Sequence, residues 1–441
     1  MVDTGSTDRT KEIAAGFGAR VFDFAWVDSF AAARNESLRH ATGEWIFWLD
    51  ADDRLDDDNR QRLKGLFAGL PDANVAFVMK CLCLPDPETR TATVVDHVRL
   101  FRNEPSLRWD YRVHEQILPS LRRSQAEVRW SDVVIQHVGY QDTALRQRKL
   151  ARDGRLLQME FADKPDDPFV LFNLGSIAQE LGRLDEAVPL LRRSLEMSQP
   201  GDSIVRKLYA LLAQCHRRLG QDDLALAACR KGREFYPDDV ELLFQEGIAL
   251  REKGDRSGAK ACWTRLLRTR KAEHFASIDT GLCGYKVRHN LAQLDLEGGD
   301  LPAAERHWRA ALAEQPGFAP AWLGLGAVCL RQERWDDLEG AARELANSGW
   351  PLEGNLLRAQ RHMAQKEFGP ACRLLAEAIA QAPEQSPPRR LLSHALLQEG
   401  RDWGAAERAL QELLALEPND AEARNNLAVL ARRRHPQPEV I

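Results

Sequence analysis

Along the first 140 residues, short apolar runs alternate with stretches of helical period. Val75–Met79 and Val94–Val98 are rich in β-branched residues and bounded by turn formers, which predicts strands. Trp45–Leu49 is apolar at every position, as suits a strand buried on both faces. Thr7–Gly16 and Asp58–Gly69 predict helices, and Asp56, Asp57 and Asp58 stand where N-caps and the helix dipole favour carboxylates. Strands alternating with helices predict an α/β sheet. From Thr143 the pattern changes to helix after helix. Asp142 or Thr143 can cap a helix that runs towards Asp163 and closes at Pro165, a bridge between the two halves.

Residues 168–434 repeat. A small residue paired with a larger one four positions on recurs at Ala187/Leu191, Ala225/Cys229, Ala259/Trp263, Ala304/Trp308, Ala371/Leu375 and Ala406/Leu410, with Leu338/Ala342 the same pair in reverse order. The steps between first members are 38, 34, 45, 34, 33 and 35 residues, and Pro237, Pro316, Pro383 and Pro418 sit at matching unit ends. Small residues recur where two antiparallel helices cross closely, since a large side chain would force them apart. The pattern resembles the tetratricopeptide repeat, whose opening Trp-x-x-Leu-Gly is matched by Trp322-x-x-Leu325-Gly326, with Cys329 in place of the usual Tyr. The 45-residue step holds His274–His289, including Ile278-Asp279-Thr280-Gly281 and Lys286–Asn290. Two readings stay open for it: a longer loop that bends the array, or a polar patch that touches the N-terminal half or a substrate.

Length and composition narrow the classes. At roughly 100–200 residues per domain, 441 residues predict two to four domains. The partition expected is 1–142 for the α/β domain, 143–166 for the connecting helix, 167–435 for about seven repeat units, and 436–441 for a tail. A net charge of −5 argues against a nucleic-acid footprint. No apolar run approaches a membrane helix, since Val75–Leu84 is short and carries Lys80, and Asp3 and Asp8 stand where a secretory leader would be basic and then apolar. The eight cysteines form neither a CxxC pair nor a framework, so reduced thiols and a cytoplasmic location are expected.

The N-terminal half carries candidate chemistry. In VDTGSTDRT, residues 2–10, a strand end runs into a Gly-Ser-Thr turn and a helix, a geometry that offers backbone N–H groups to an anion. Asp3 would point into the crevice where open α/β sheets bind nucleotides. Downstream, a helix with Arg34 and Asn35 leads through Gly43 into Trp45–Leu49 and then Asp50-Ala51-Asp52-Asp53. Strand alternation would set Asp50 and Asp52 on one side, where paired carboxylates beside a pyrophosphate suit Mg²⁺ or Mn²⁺. The alternative is a solvated acidic turn in which Asp53 to Asp58 merely cap the next helix, and for Asp56–Asp58 that alternative is the reading taken.

VDTGSTDRT, ARNESL and ATGEWIFWLDADD, in this order and spacing, resemble family 2 glycosyltransferases of the GT-A fold over residues 1–140. With the repeats, the chain resembles bacterial glycosyltransferase–tetratricopeptide fusions. The resemblance implies an α/β nucleotide-sugar-binding domain followed by an all-α solenoid. It implies that Asp3 contacts the donor nucleotide, that Asp50 faces the ribose, and that Asp52 of the DxD motif coordinates Mn²⁺ or Mg²⁺ on the diphosphate. Arg34 would reach the nucleotide, or pair with Glu36 or Asp28. Inverting transfer needs a base for the acceptor hydroxyl. Glu115 is the candidate, with Asp110 second, although Glu115 could instead pair with Arg112. His137, before Gly139-Tyr140, resembles a late His that reaches the metal or diphosphate; His114 is its alternative. The partners implied are a UDP-sugar donor and a protein or peptide acceptor in the repeat groove.

One departure stands out. Such enzymes open with a strand and an Asn-Glu loop before the VDTGS turn, and here Met1 directly precedes Val2-Asp3. The expectation is a GT-A domain incomplete at its N-terminus. A rival reading is therefore a repeat scaffold that binds partners beside an inactive transferase domain. A nucleotidyltransferase is a third.

Overall fold

The computed structural model describes residues 1–84, 92–138, 143–269 and 277–434. It forms two compact units, Met1–Cys283 and Gly284–Ile441. In the first, β1 (Val2–Asp3), α1 (Thr10–Gly16), β2 (Phe22–Asp23), α2 (Phe30–Arg39), β3 (Trp45–Phe47), β4 (Asp53–Arg54) and α3 (Asp57–Ala68) lead to two long strands, β5 (Val75–Cys83) and β6 (Thr93–Arg102). A short α4 (Leu118–Arg123) and the long β7 (Glu127–His137) complete this half. Five strands form a mixed sheet in the order β3-β6-β5-β7-β4, and a sixth, β8 (Ser277–Asp279), also pairs with β6. β1 and β2 pair in parallel as a separate two-stranded sheet. β1 and β3 therefore belong to different sheets.

Alternation along β5 sends its side chains to two cores. Val75, Phe77 and Met79 pack with Leu63 of α3, Leu100, Val133 and Ile135. Ala76 and Val78 pack with Ala31 of α2, Val98, Phe101, Trp109 and Leu121. Asp56 caps α3 as expected, its carboxylate accepting from Asn59 N at 2.8 Å. The apolar run at Trp45–Leu49 departs from expectation. The strand stops at Phe47, its three residues are only half-buried, and Leu49 is exposed. β3 ends the sheet and has one ladder partner, β6, so it is not sandwiched as a central strand would be.

Helix α5 (Thr143–Asp163) joins the sheet to the repeats, its Leu156 and Leu157 packing against Val113 and against Val170, Leu174 and Ile177 of α6 (Pro168–Glu180). Asp142 and Gly139-Tyr140 lie outside the described residues. The repeats continue with α7 (Leu184–Met197), α8 (Val205–Arg218), α9 (Asp222–Phe235), α10 (Val240–Glu252) and α11 (Arg256–Leu266). In the second unit they are α12 (Tyr285–Glu297), α13 (Leu301–Glu314), α14 (Ala319–Arg331), α15 (Trp335–Asn347), α16 (Pro351–Ala364), α17 (Phe368–Gln381), α18 (Ser386–Glu399), α19 (Trp403–Leu416) and α20 (Ala421–Arg434). The first members of the seven pairs fall on the second helix of successive helix pairs, and all are buried. The crossing is close enough that a Cβ on Gly247 of α10 would meet Trp263 Nε1 of α11 at 2.2 Å. On Gly324 of α14 it would meet Trp308 of α13 at 2.1 Å.

The irregular 45-residue step supplies β8. Ser277, Ile278 and Asp279 pair antiparallel with Val95, Val94 and Thr93 of β6. Thr280 extends the contact, its N–H donating to Ala92 O at 3.1 Å. This step therefore enters the sheet of the N-terminal half rather than simply lengthening a loop; His274 lies outside the described residues.

Candidate active site

The site gathers where β3 turns towards β4. After Trp48 the chain leaves the strand, and Asp53 N donates back to Asp50 O at 3.0 Å. Asp50, Asp52, Asp53 and His137 each place a ligand atom within 4.8 Å of the others. The expected pairing of Asp50 with Asp52 thus comes from a turn, not from strand alternation. For Asp53 the capping alternative falls away. It caps no helix; its carboxylate is buried and lies 2.8 Å from Arg99 Nη1 and 3.0 Å from His137 Nδ1, and it accepts from the Asp50 N–H at 2.8 Å. Burial raises the pKa of Asp53, but the hydrogen bond to His137 and the other partners outweigh it, and the net shift is downward.

His137 faces Asp53 across the β4–β7 ladder. A carboxylate only accepts, so His137 Nδ1 carries the hydrogen, and Nε2 lies 3.5 Å from Asp52 Oδ2. The bond to Asp53 holds the imidazole pKa above its ordinary value, against the opposing effect of burial. A carboxylate behind one ring nitrogen is how metal-binding imidazoles are oriented.

Arg34 ties this cluster to a second element. Its Nε donates to Glu115 Oε1 at 2.6 Å, and its Nη2 donates to Asp50 Oδ1 at 2.9 Å. Burial lowers its pKa, but Glu115 and then Asp50 more than compensate. Asn35, the next residue on α2, holds the loop that carries Glu115: its amide bonds both the N–H and the C=O of Trp109. That loop closes on itself through paired backbone bonds between Asp110 and Gln116. Tyr111 and His114 within it have positive φ (73° and 55°), a conformation that costs a non-glycine residue about 1–3 kcal/mol.

Hard oxygen donors with one imidazole suit Mn²⁺ or Mg²⁺. By this test the pair Asp52 and His137 fits a divalent ion, with Asp50 beside them. A second grouping, Asp53, Cys81 and His137, fits poorly. Arg99 bonds both Asp53 and Cys81 Sγ, and hydrogen bonding to Cys83, then burial, pushes the Cys81 thiol up. A neutral thiol beside a guanidinium is not a metal ligand.

The remaining sequence candidates sit elsewhere. Asp3 is buried and accepts from the N–H groups of Gly5 and Ser6, at 3.0 Å each, so its carboxylate organises its own turn. Hydrogen bonding to Ser6 lowers its pKa. Asp110 pairs with Arg123 at 3.1 Å, and the structure brings Glu115, not Asp110, to Arg34. The alternatives for Arg34 and Glu115 fall away, because Asp28 pairs with Arg155, Glu36 with Arg39 and His40, and Arg112 with Asp163. The residues that sequence reasoning missed are Asp53, Arg99 and Trp48. The available signal was Arg99 itself, a lone charge inside the apolar run Val98–Phe101, since a buried cation requires a buried counter-charge.

Comparison with known proteins gives this geometry a family context. The Glycosyl transferase family 2 model matches residues 1–117, and tetratricopeptide repeat models match 167–238, 289–349 and 390–435. A TPR repeat-containing protein of Synechococcus elongatus is 34% identical over 235 residues, 51% of this chain and 57% of that protein. The SPbeta prophage-derived glycosyltransferase SunS of Bacillus subtilis is 27% identical over 172 residues, 38% of this chain and 40% of SunS. The chain thus spans 57% and 40% of the length of these two curated relatives. The apo quorum sensor NprR of B. thuringiensis has a TM-score of 0.50 at 13% identity, covering 62% of this chain and 84% of NprR, a likeness of fold. The chain joins a family 2 glycosyltransferase domain to tetratricopeptide repeats. Among the described residues no helix is long and apolar enough to cross a membrane.

Proposed function

We propose that this protein is a metal-dependent, inverting glycosyltransferase that takes a sugar from a UDP-sugar donor and delivers it to a protein or peptide acceptor held by the repeats. The observation that carries this reading is Arg34, whose one guanidinium bonds both Glu115 and Asp50. It sets a carboxylate suited to a base beside the acidic cluster suited to a diphosphate-bound cation.

In this reading Asp52 and His137 would hold Mn²⁺ or Mg²⁺, which would supply positive charge to the nucleoside diphosphate. Glu115 takes the proton of the acceptor hydroxyl as that oxygen attacks the anomeric carbon, and the carbon inverts in a single displacement. Asp50 and Arg34 orient the donor. Asp53 and Arg99 act from behind, fixing His137 and the turn at Asp50. Asp3 serves the donor through the turn it organises. Free thiols at all eight cysteines accord with a cytoplasmic location. The domains proposed are 1–142, 143–166 and 167–435.

A scaffold with an inactive transferase domain is the second reading, and it draws on the separation of β1 and β3 into different sheets. One experiment decides between them: a screen of nucleotide-sugar hydrolysis and transfer with the full chain, with and without Mn²⁺. Turnover that EDTA abolishes supports the transferase. No turnover with any nucleotide sugar supports the scaffold.

A further inference from the structure

Two arms of the site, which touch directly where Arg99 Nη1 lies 3.8 Å from Asp50 Oδ2, also meet on one side chain. The first runs Glu115–Arg34–Asp50; the second runs Arg99–Asp53–His137–Asp52. Trp48 lies between them. Its ring centre is 4.1 Å from Arg34 Cζ and 3.7 Å from Arg99 Cζ. The indole is itself fixed: Nε1 donates to Val98 O at 2.8 Å, and the Trp48 N–H donates to Arg99 O at 3.2 Å. Trp109 packs edge-on against it, with ring centres 5.2 Å apart at 89°.

From this geometry we infer that Trp48 is a positioning residue of the transfer reaction: its indole is the shared platform that sets Arg34 and Arg99, and through them the distance between the base Glu115 and the Asp52/His137 end. The inference rests on the transferase reading. Two guanidinium groups this near one another repel. The electron-rich face of an indole attracts both, most strongly where water is excluded. Arg99 is almost wholly buried, with 1% of its surface exposed, so this attraction is little screened. Each arginine has carboxylate partners, Arg34 in Glu115 and Asp50 and Arg99 in Asp53 and, at 3.8 Å, Asp50; the indole adds an aromatic contact common to both. The chain position agrees: Trp48 is the last residue with a ladder bond to β6 before the acidic turn begins at Asp50. One residue therefore ends the strand, anchors the turn and orients the two cations.

The test compares the full-length wild type with Trp48→Phe, which keeps an aromatic face, and Trp48→Leu, which keeps only apolar bulk. The first readout is the Nε–H signals of ¹⁵N-arginine-labelled protein, with Arg34 and Arg99 assigned by Arg→Lys substitution. The platform predicts ring-current-shifted signals for both residues in wild type, retained in Trp48→Phe and lost in Trp48→Leu. The second readout is kinetic, with whichever nucleotide sugar the wild type turns over, below the melting temperature of every variant. Trp48→Leu is expected to lower kcat about ten- to a hundredfold, the scale of losing one or two desolvated cation–π contacts. KM should stay within about threefold, and Trp48→Phe should recover most of kcat. Wild-type kcat in Trp48→Leu overturns the inference, as does a Phe variant no better than Leu, or unchanged arginine signals in Leu. A wild type that turns over no nucleotide sugar with Mn²⁺ defeats the transferase reading, and this inference with it.

Discussion

Arg34 donates to Glu115 across 81 residues of sequence, through a 2.6 Å bond from Nε to Oε1. Asn35 makes that meeting possible by pinning the backbone of Trp109, so that the following loop returns Glu115 to helix α2. The Arg34 guanidinium holds both Glu115 and Asp50, so a change at Arg34 should be felt in both donor handling and proton transfer. They are separable nonetheless, because only Glu115 can take a proton from the acceptor.

Glu115→Gln keeps the size of the side chain and removes the base. Transfer should fall about 10²- to 10⁴-fold, while nucleoside-diphosphate binding measured by calorimetry stays nearly intact. Arg34→Gln should weaken both, since it loosens Asp50 as well. Asp110→Asn should change little, because Asp110 pairs with Arg123 away from this group. Equal losses in binding and transfer for Glu115→Gln would make Glu115 structural.

Asp52→Asn should remove most metal-dependent activity, since Asp52 Oδ2 approaches His137 Nε2 and its carboxylate is partly exposed. Asp57→Asn, in the first turn of α3, should leave activity near wild type. Wild-type turnover by Asp52→Asn in the presence of EDTA would refute the metal assignment.

The raised pKa of His137 sets opposite pH trends for the metal-free and metal-bound protein. A group whose pKa is raised in the folded state adds stability that is fully present below its unfolded value, about 6.5 for His, and is lost as pH rises through the folded value. A metal instead requires neutral imidazole, so Mn²⁺ affinity should rise over that window. Melts with EDTA should therefore decline gently from pH 6 to above His137's folded pKa, while the shift gained from Mn²⁺ should grow. A His137→Gln variant should lose both trends; if it keeps them, another group titrates.

What the sequence revealed follows from how locally each feature is encoded. The small–large pairs of the repeats were legible because one packing problem recurs at nearly constant period, and Ala187, Ala259, Ala304 and Ala371 are all fully buried. Asp50, Asp52 and His137 were legible through motif order, but their geometry was not, since a turn and a buried Asp53 hold them. Arg99 and Trp48 act through contacts between distant segments that no local pattern encodes. β8 is three residues long, too short for a periodic signal, and Thr280 of the same segment meets Ala92 across 188 residues. Domain-scale periodicity survives in a sequence; single tertiary pairings do not.

Within the repeats, Arg206 is buried between Asp239 and Glu241, with Nη1 at 2.8 and 2.9 Å from their carboxylates. Removing one partner of a buried charge network leaves the others uncompensated. Arg206→Leu should cost about 3–5 kcal/mol, read as a lower denaturation midpoint by circular dichroism. Gly247→Ala should also destabilise, by about 1–3 kcal/mol, because its methyl must displace Trp263. A midpoint unchanged in both would mean that these helices pack differently in solution.

The irregular step in the repeats lends the strand β8 to the sheet. Thr280 N donates to Ala92 O, and hydrogen-bonded pairs alternate along an antiparallel ladder, so Ile278 opposite Val94 is the next bonded position inward. Ile278→Pro removes that donor and should open this ladder. Hydrogen exchange at residues 92–95 should rise, while exchange in β5 and β7, which pair with each other away from β8, stays slow. If the repeats present the acceptor, the same variant should hydrolyse donor at close to the wild-type rate yet lose transfer to acceptor. A chain ending at Pro165 should behave alike, since it lacks both β8 and the array. Transfer retained by Ile278→Pro, with exchange at 92–95 clearly raised, would separate the strand from acceptor delivery. Unchanged exchange would show that three paired residues contribute nothing to holding that edge.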